Sequence, residues 1–318
     1  MEIAKENNFI SSVIYLSDDE LLRPECVRVF LDVLIIFLEE KFRKYEIIIV
    51  NDACADIDPV KDYLKSEKTD GKVTMINLSR YHGMELSMSA GVDMAIGDYV
   101  FEVEKIREGY TAELLENVYH KCLQGNDIVS VVDQREADWF SKSFYFIYNS
   151  FKLHPHEKLR SEVFRLVSRR AINRVQSMTL SMPYRKVQYA QCGLPVAAIM
   201  YGGENKKTKR IGGKRNELQV RVDLAVDTLI LYTNFITKVT MVLSLFFLSF
   251  SMAVGIYVCI CYFGINKPVE GWAPMMGFLS AGFCGMFAIL TILIKYLSLI
   301  INMIFIKQDY LVESVEKL

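Results

Sequence analysis

The chain has 318 residues, and its 37 basic and 38 acidic side chains leave a net charge of −1. That balance excludes a dedicated nucleic-acid binder, which carries a basic excess. Hydrophobic residues make up 52% and charged residues 24%, which excludes a disordered chain, a collagen-like chain and a small disulfide scaffold.

Phe9–Leu16 reads as a buried strand. Pro24 opens a helix along which Val27, Phe30, Leu31, Leu34 and Leu38 follow helical spacing. Glu46–Asn51 (EIIIVN) is a second strand, its consecutive β-branched residues those of a sheet covered on both faces. A short helix near Val60–Lys65 precedes a third strand, Lys72–Leu78. Glu85–Ala95 is helical, Tyr99–Val103 a fourth strand, Thr111–Leu123 helical and Asp127–Val132 a fifth strand. This alternation predicts an α/β domain with a mostly parallel sheet and helices on both faces. Ligands of such sheets bind beyond the carboxyl ends of the strands. That rule directs attention to Asp18–Asp19, Asn51–Asp56, Ser79–Gly83 and Glu102–Glu108. Trp139–Leu153, rich in aromatics and lysine, reads equally as a core helix or as an interfacial amphipathic helix.

The mean hydropathy of +0.19 averages two unlike parts. Residues 239–294 carry two charges, Lys267 and Glu270. Val239–Phe263 and Pro274–Ile294 are charge-free runs of 25 and 21 residues, and a membrane-spanning helix needs about 20. We expect a two-helix transmembrane hairpin whose short linker holds Trp272 at an interface. Lys206, Lys207, Lys209, Arg210, Lys214, Arg215, Arg221 and Lys238 precede the first run, whereas the linker has only Lys267. The positive-inside rule therefore expects both termini in the cytoplasm. The expected division is a cytosolic domain over 1–222 with interfacial helices, then a membrane region over 223–318. That region holds spans 239–263 and 274–294 and a cytosolic amphipathic tail. No signal peptide is expected, because MEIAKENN carries two glutamates and the apolar run after it is short. The seven cysteines form no CxxC pair or His-linked cluster and read as reduced packing residues.

Four segments carry a resemblance. Ile47–Asp56 (IIIVNDACAD), Asn77–Val100 (NLSRYHGMELSMSAGVDMAIGDYV), Val163–Ile172 (VFRLVSRRAI) and Gly202–Lys207 (GGENKK) occur in this order. Together with the Gly271–Trp272 pair they resemble family-2, inverting glycosyltransferases of GT-A fold. The nearest subgroup is the polyprenyl-phosphate sugar transferases, of the dolichol-phosphate mannose synthase and bacterial undecaprenyl-phosphate glucosyltransferase type. The resemblance implies a GT-A, Rossmann-like domain followed by the membrane hairpin. It implies a hexosyltransferase that takes a UDP- or GDP-linked sugar to polyprenyl phosphate for cell-envelope glycan synthesis. The enzyme would be a multi-pass protein of the bacterial cytoplasmic membrane, working on its cytosolic face, and a homo-oligomer, often a tetramer. Matched by motif, Asn51, Asp52 and Asp19 meet the nucleoside, and Arg80 and Gly83 form the donor-binding turn. Arg165 and Arg169 would meet diphosphate or lipid phosphate, which suits a guanidinium.

One motif departs from the pattern. The family follows "GDYV" with two aspartates that bind Mg or Mn, and here the stretch reads GDYVFEVEKIREGY. Glu104 stands at the first aspartate and Ile106, which cannot ligate a hard cation, at the second. Glu102 and Glu104 share a strand face, and Glu108 is a further oxygen donor. Lys105 and Arg107 are alternative fixed cations in place of the metal. Glu104 is thus the expected metal and catalytic residue, with Glu102 as its partner. Two other readings stay open: a catalytically impaired relative acting as a nucleotide-binding or assembly partner, and a transferase acting on a lipid-linked saccharide.

Overall fold

The computed structural model describes residues 5–21, 24–54, 57–66, 71–107, 109–133, 139–151, 159, 162–178, 184–201, 272–305 and 310–318, with isolated positions between 225 and 253. The first half alternates as expected: β1 (Glu6–Leu16), α1 (Asp18–Leu21), α2 (Pro24–Lys41), β2 (Phe42–Asn51), α3 (Asp58–Ser66), β3 (Val73–Leu78), α4 (Met84–Met94), β4 (Tyr99–Val103) and α5 (Ala112–Leu123). The second half adds β5 (Ile128–Asp133), α6 (Trp139–Phe151), β6 (Glu162–Ser168), α7 (Arg169–Ser177), α8 (Arg185–Gln191), β7 (Val196–Tyr201), α9 (Trp272–Phe305) and β8 (Val312–Lys317).

The strands form one sheet of order β7-β5-β6-β4-β1-β2-β3-β8. β1 pairs in parallel with β2 and β4, β2 with β3, and β5 with β7. β6 runs antiparallel between β4 and β5, and β8 antiparallel on the edge of β3. The result is a mixed, Rossmann-like α/β sheet. The chain lays down β1, β2 and β3 in one direction, then crosses back through α4 to place β4 on the other side of β1. That reversal opens a crevice between the carboxyl ends of β1 and β4, where doubly wound sheets bind ligands.

Both faces are covered, as the EIIIVN run implied. Ile47 and Ile49 of β2 pack with Phe30, Leu31 and Leu34 of α2 and Leu115 and Val118 of α5. Ile48 and Val50 point the other way, onto Met88 and Ala90 of α4. Burying each such side chain fully contributes about 1.5–3 kcal/mol, so the two-period alternation fixes the strand register. Gly91 lets α4 lie against β1, since a Cβ there would stand 2.3 Å from Val13 Cγ1. Helix starts are set locally. The Thr111 side chain accepts from Leu114 N and the Ser168 side chain from Ala171 N, each satisfying a backbone donor that the helix leaves free.

Helix α6 resolves the open reading of the aromatic segment on one face. Phe144 and Tyr148 are buried with Leu159 and Val187, whereas Phe146 is 72% exposed. Tyr296–Phe305 continues the helix that begins at Trp272, so α9 is one helix of 34 residues spanning the whole second apolar run. The first expected span, the linker and the basic flank lie almost wholly outside the described residues. Among the residues whose side chains are described, no helical stretch is long and apolar enough to cross a membrane.

Candidate active site

Two clusters stand at the carboxyl ends of the central strands. The first is built on Asp52, directly after β2 and only 3% exposed. Its Oδ1 accepts from His82 N at 2.8 Å, and its Oδ2 from Gly83 N at 2.9 Å and Tyr15 Oη at 3.1 Å. One carboxylate thereby ties the ends of β1 and β2 to the Arg80–Gly83 turn. Gly83 has φ 85° and ψ 161°, a region open essentially to glycine alone. His82 Nε2 accepts from Leu311 N at 3.2 Å, so its Nδ1–H donates to Arg80 O at 2.6 Å. The turn is thus held on one side by Asp52 and on the other by the segment leading into β8. Arg80 itself is exposed.

Beside this turn lies a cleft of about 380 Å³ lined by Asn51, Cys54, Lys61, Asn77, Ser79 and Glu316, among others. Asn51 Nδ2 donates to Asn77 Oδ1 at 2.9 Å, and Asn51 Oδ1 accepts from Cys54 N at 3.0 Å. Burial, with Asp18 and Asp52 nearby, pushes the Cys54 thiol up to about 12; it stays a thiol at neutral pH and is no nucleophile. Of the expected residues Asn51 lines this cleft, while Asp52 and Gly83 are joined in the neighbouring turn that also holds Arg80. Asp19 lies in α1, and its side chain is outside the described residues.

The second cluster surrounds Glu102 and Glu104. Glu102 on β4 pairs directly with Arg165 on β6, which places a guanidinium beside the carboxylates. Arg165 is 0% exposed. It meets Glu104, Glu102 Oε2 at 3.4 Å and Glu162 Oε2 at 3.1 Å, and lies over the Tyr189 ring at 5.4 Å. Two further cations come from the start of α8. Lys186 Nζ is 2.9 Å from Glu104 Oε2, and Arg185 Nη2 is 3.1 Å from Glu102 Oε2 and 3.5 Å from Glu104 Oε1. Tyr189 Oη donates to Glu102 Oε1, and Arg185 N to Glu85 Oε2.

Electrostatics follow from this crowding. Burial raises the Glu104 carboxyl, but Arg165, Lys186 and Arg185 outweigh it and hold the group down at about 2. Burial opposes the charge on Lys186, yet Glu104 above all raises it beyond the ordinary lysine range. Glu85 is raised, chiefly by burial.

Several expectations need correction. Arg165 is not open to a phosphate; it is enclosed by carboxylates. Arg169 Nε donates to Gly97 O at 2.9 Å and its Nη2 to Ala95 O at 2.7 Å, so it braces the loop between α4 and β4. Three cations that the sequence reading did not pick out for this role, Arg165, Arg185 and Lys186, face Glu104. Ile106 is 8% exposed and belongs to the core beneath α2 and α5. Glu108 lies outside the described residues.

The donor set does not fit the Mg or Mn that the resemblance implies. A hard cation requires several free oxygen ligands. Both oxygens of Glu104 face cations, and both of Glu102 face Tyr189 or guanidinium groups. Among the described residues, no three His, Cys, Asp or Glu side chains stand where they could hold a metal ion.

No family model matches the chain. It is 26% identical over 169 residues to an uncharacterized glycosyltransferase of Synechocystis, a match covering 50% of this chain and 51% of that protein. The chain thus spans about half the length of that relative. It is 23% identical over 280 residues to the bactoprenol glucosyl transferase of Shigella phage SfX, covering 84% of this chain and 86% of that one. Among solved structures, the mannosyltransferase PcManGT from Pyrobaculum calidifontis, in complex with GDP-Man and Mn2+, is similar at TM-score 0.44 and 12% identity. That likeness covers 88% of this chain and 87% of the other.

Proposed function

We propose that the chain is an inverting, membrane-bound glycosyltransferase. It moves a hexose from a UDP- or GDP-linked donor to polyprenyl phosphate on the cytosolic face of the bacterial cytoplasmic membrane. The observation that carries this reading is the similarity to bactoprenol glucosyl transferase over 84% of the chain, combined with a strand-end cleft beside the turn that Asp52 holds. The two charge-free runs at 239–263 and 274–294 support a membrane hairpin that brings the lipid to the site. A homo-tetramer, as the resemblance implies, is the working assembly.

The chemistry needs little from the acceptor side. A phosphate monoester is already anionic near neutral pH, its second pKa being about 6, so no general base is required. Its oxygen attacks the anomeric carbon, the bond from that carbon to the donor diphosphate breaks, and the nucleoside diphosphate leaves with the electron pair. Asp52 holds the Arg80–Gly83 turn in place, and exposed Arg80 is the guanidinium free to meet the donor phosphates. Asn51 and Asn77 face the nucleoside in the cleft.

The test supplies membranes containing the full chain with radiolabelled UDP- and GDP-hexoses and undecaprenyl phosphate. Label passing into the organic phase only when both donor and acceptor are present supports the proposal. The closed state of Glu104 favours one competing reading, a nucleotide-binding assembly partner. Folded protein that binds UDP or GDP but transfers no sugar across the panel selects that reading.

A further inference from the structure

Resting on the proposed transferase reading, we infer that this centre carries its own positive charge. Lys186 and Arg185 occupy, against Glu104 and Glu102, the place of a divalent cation, and nucleotide binding here is independent of divalent metal.

Three observations support this. The first is occupancy. Lys186 Nζ at 2.9 Å from Glu104 Oε2, together with the Arg165 contact, leaves no oxygen of Glu104 facing open space. The second is enclosure. Glu102, Glu104, Arg165, Arg185 and Lys186 are each less than 9% exposed. A metal ion would have to enter a packed centre and expel an ammonium ion that buried Glu104 and Glu85, with Glu162 at the edge, already attract. The third is the nature of the unmet bonding. Buried atoms of this cluster without an aligned hydrogen-bond partner include the donors Arg165 Nε, Arg165 Nη1 and Arg185 Nε, beside Glu85 Oε1 and Glu102 Oε2. A bare cation offers nothing to a guanidinium N–H, and even with Lys186 expelled it would face repulsion from the Arg165 and Arg185 guanidinium groups.

The geometry also explains why Ile106 is tolerated. A second carboxylate at that position serves a metal; where a lysine holds the charge, an apolar side chain packed into the core has no ligand role to lose. Lys186 and Arg185 are positioning residues in this scheme: they set the charge and placement of the carboxylates at the end of β4.

The test is manganese titration of the full chain in detergent, followed by electron paramagnetic resonance of free Mn(II), with and without UDP or GDP. Wild-type protein should leave the free-Mn signal undiminished, and calorimetric affinity for UDP or GDP should agree within about twofold between EDTA and excess Mn. Lys186→Asp, which exchanges the ammonium beside Glu104 for a second carboxylate, should gain stoichiometric Mn uptake. Stoichiometric uptake by wild-type protein, or nucleotide binding lost in EDTA, overturns the inference. Failure of Lys186→Asp to take up Mn overturns the assignment to Lys186. A chain that binds neither UDP nor GDP in either buffer defeats the transferase reading instead, and the manganese titration still decides the site.

Discussion

Replacing Arg165 with alanine separates two roles for this residue. If Arg165 met substrate phosphate, the variant would lose activity and keep its stability. The structure predicts the opposite emphasis. Arg165 is 0% exposed and meets Glu102, Glu104 and Glu162 together. Its removal leaves buried carboxylates with Lys186 and Arg185 as their remaining cations, while the displaced guanidinium leaves a void beside Tyr189. Breaking a buried ion pair in this way costs about 3–5 kcal/mol. For a domain of this size each kcal/mol shifts the melting temperature by roughly 2–4 °C, so the expected fall is roughly 6–20 °C. Thermal unfolding of the full chain in detergent, followed by intrinsic fluorescence, measures it. Arg165→Lys should recover part of the loss, because it restores charge without the fork that reaches three carboxylates. An alanine variant that melts within about 2 °C of wild type, less than the shift of 1 kcal/mol, would refute the buried-cage reasoning.

The same cage sets a pH dependence. The folded Glu104 carboxyl is held down at about 2 from an ordinary 4.5, so it contributes stability that is fully present above about 4.5. That stability, on the order of 3 kcal/mol, is lost as pH falls through the interval towards 2; acid-melting curves should show it, and Glu104→Gln should flatten them over this range. Gly83→Ala forces alanine into φ 85°, ψ 161° at a cost of about 1–3 kcal/mol; calorimetry should show weakened UDP or GDP binding, with the Arg80 turn displaced. Asp52→Asn replaces an acceptor facing Gly83 N or His82 N by an amide donor, losing at least one charge-assisted bond worth about 1.5–3 kcal/mol. Nucleotide affinity should drop by about 10-fold or more, and unchanged affinity would show that the turn does not shape the cleft.

Much of the fold was legible because each early element obeys one strong local rule. The EIIIVN run reads as a doubly covered strand, and its residues do alternate between the two cores. The helix after Pro24 buries Val27, Phe30, Leu31, Leu34 and Leu38 at their predicted spacing. The later strands were less legible. β6 (EVFRLVS) hides an arginine among apolar residues, and only pairing with Glu102 makes that position a buried one. β8 (VESVEK) looks like a charged tail, because an edge strand keeps one side in water; its Glu316 binds Lys61 and Asn77, contacts across more than 200 positions.

The candidate site divides along the same line. Asn51, Asp52, Arg80 and Gly83 are close in space because they follow adjacent strands, which strand order alone predicts. Glu104 and Glu102 were visible as paired carboxylates, but their partners were not. Buried carboxylates demand cations, and the sequence offers 37; nothing local marks Arg185 and Lys186 in MPYRKVQYAQ as the ones turned inward. Sequence position could show that a metal ligand was missing at Ile106. The packing of α8 shows which cations face the two carboxylates.

The central claim is tested most directly by mass spectrometry of lipid extracted after the full chain, in its membrane, is given a nucleotide-linked hexose and undecaprenyl phosphate. The expected product is a new lipid heavier than the acceptor by one hexosyl residue, formed with release of nucleoside diphosphate and persisting in EDTA. Folded, nucleotide-binding protein that leaves undecaprenyl phosphate unchanged with every donor would contradict it.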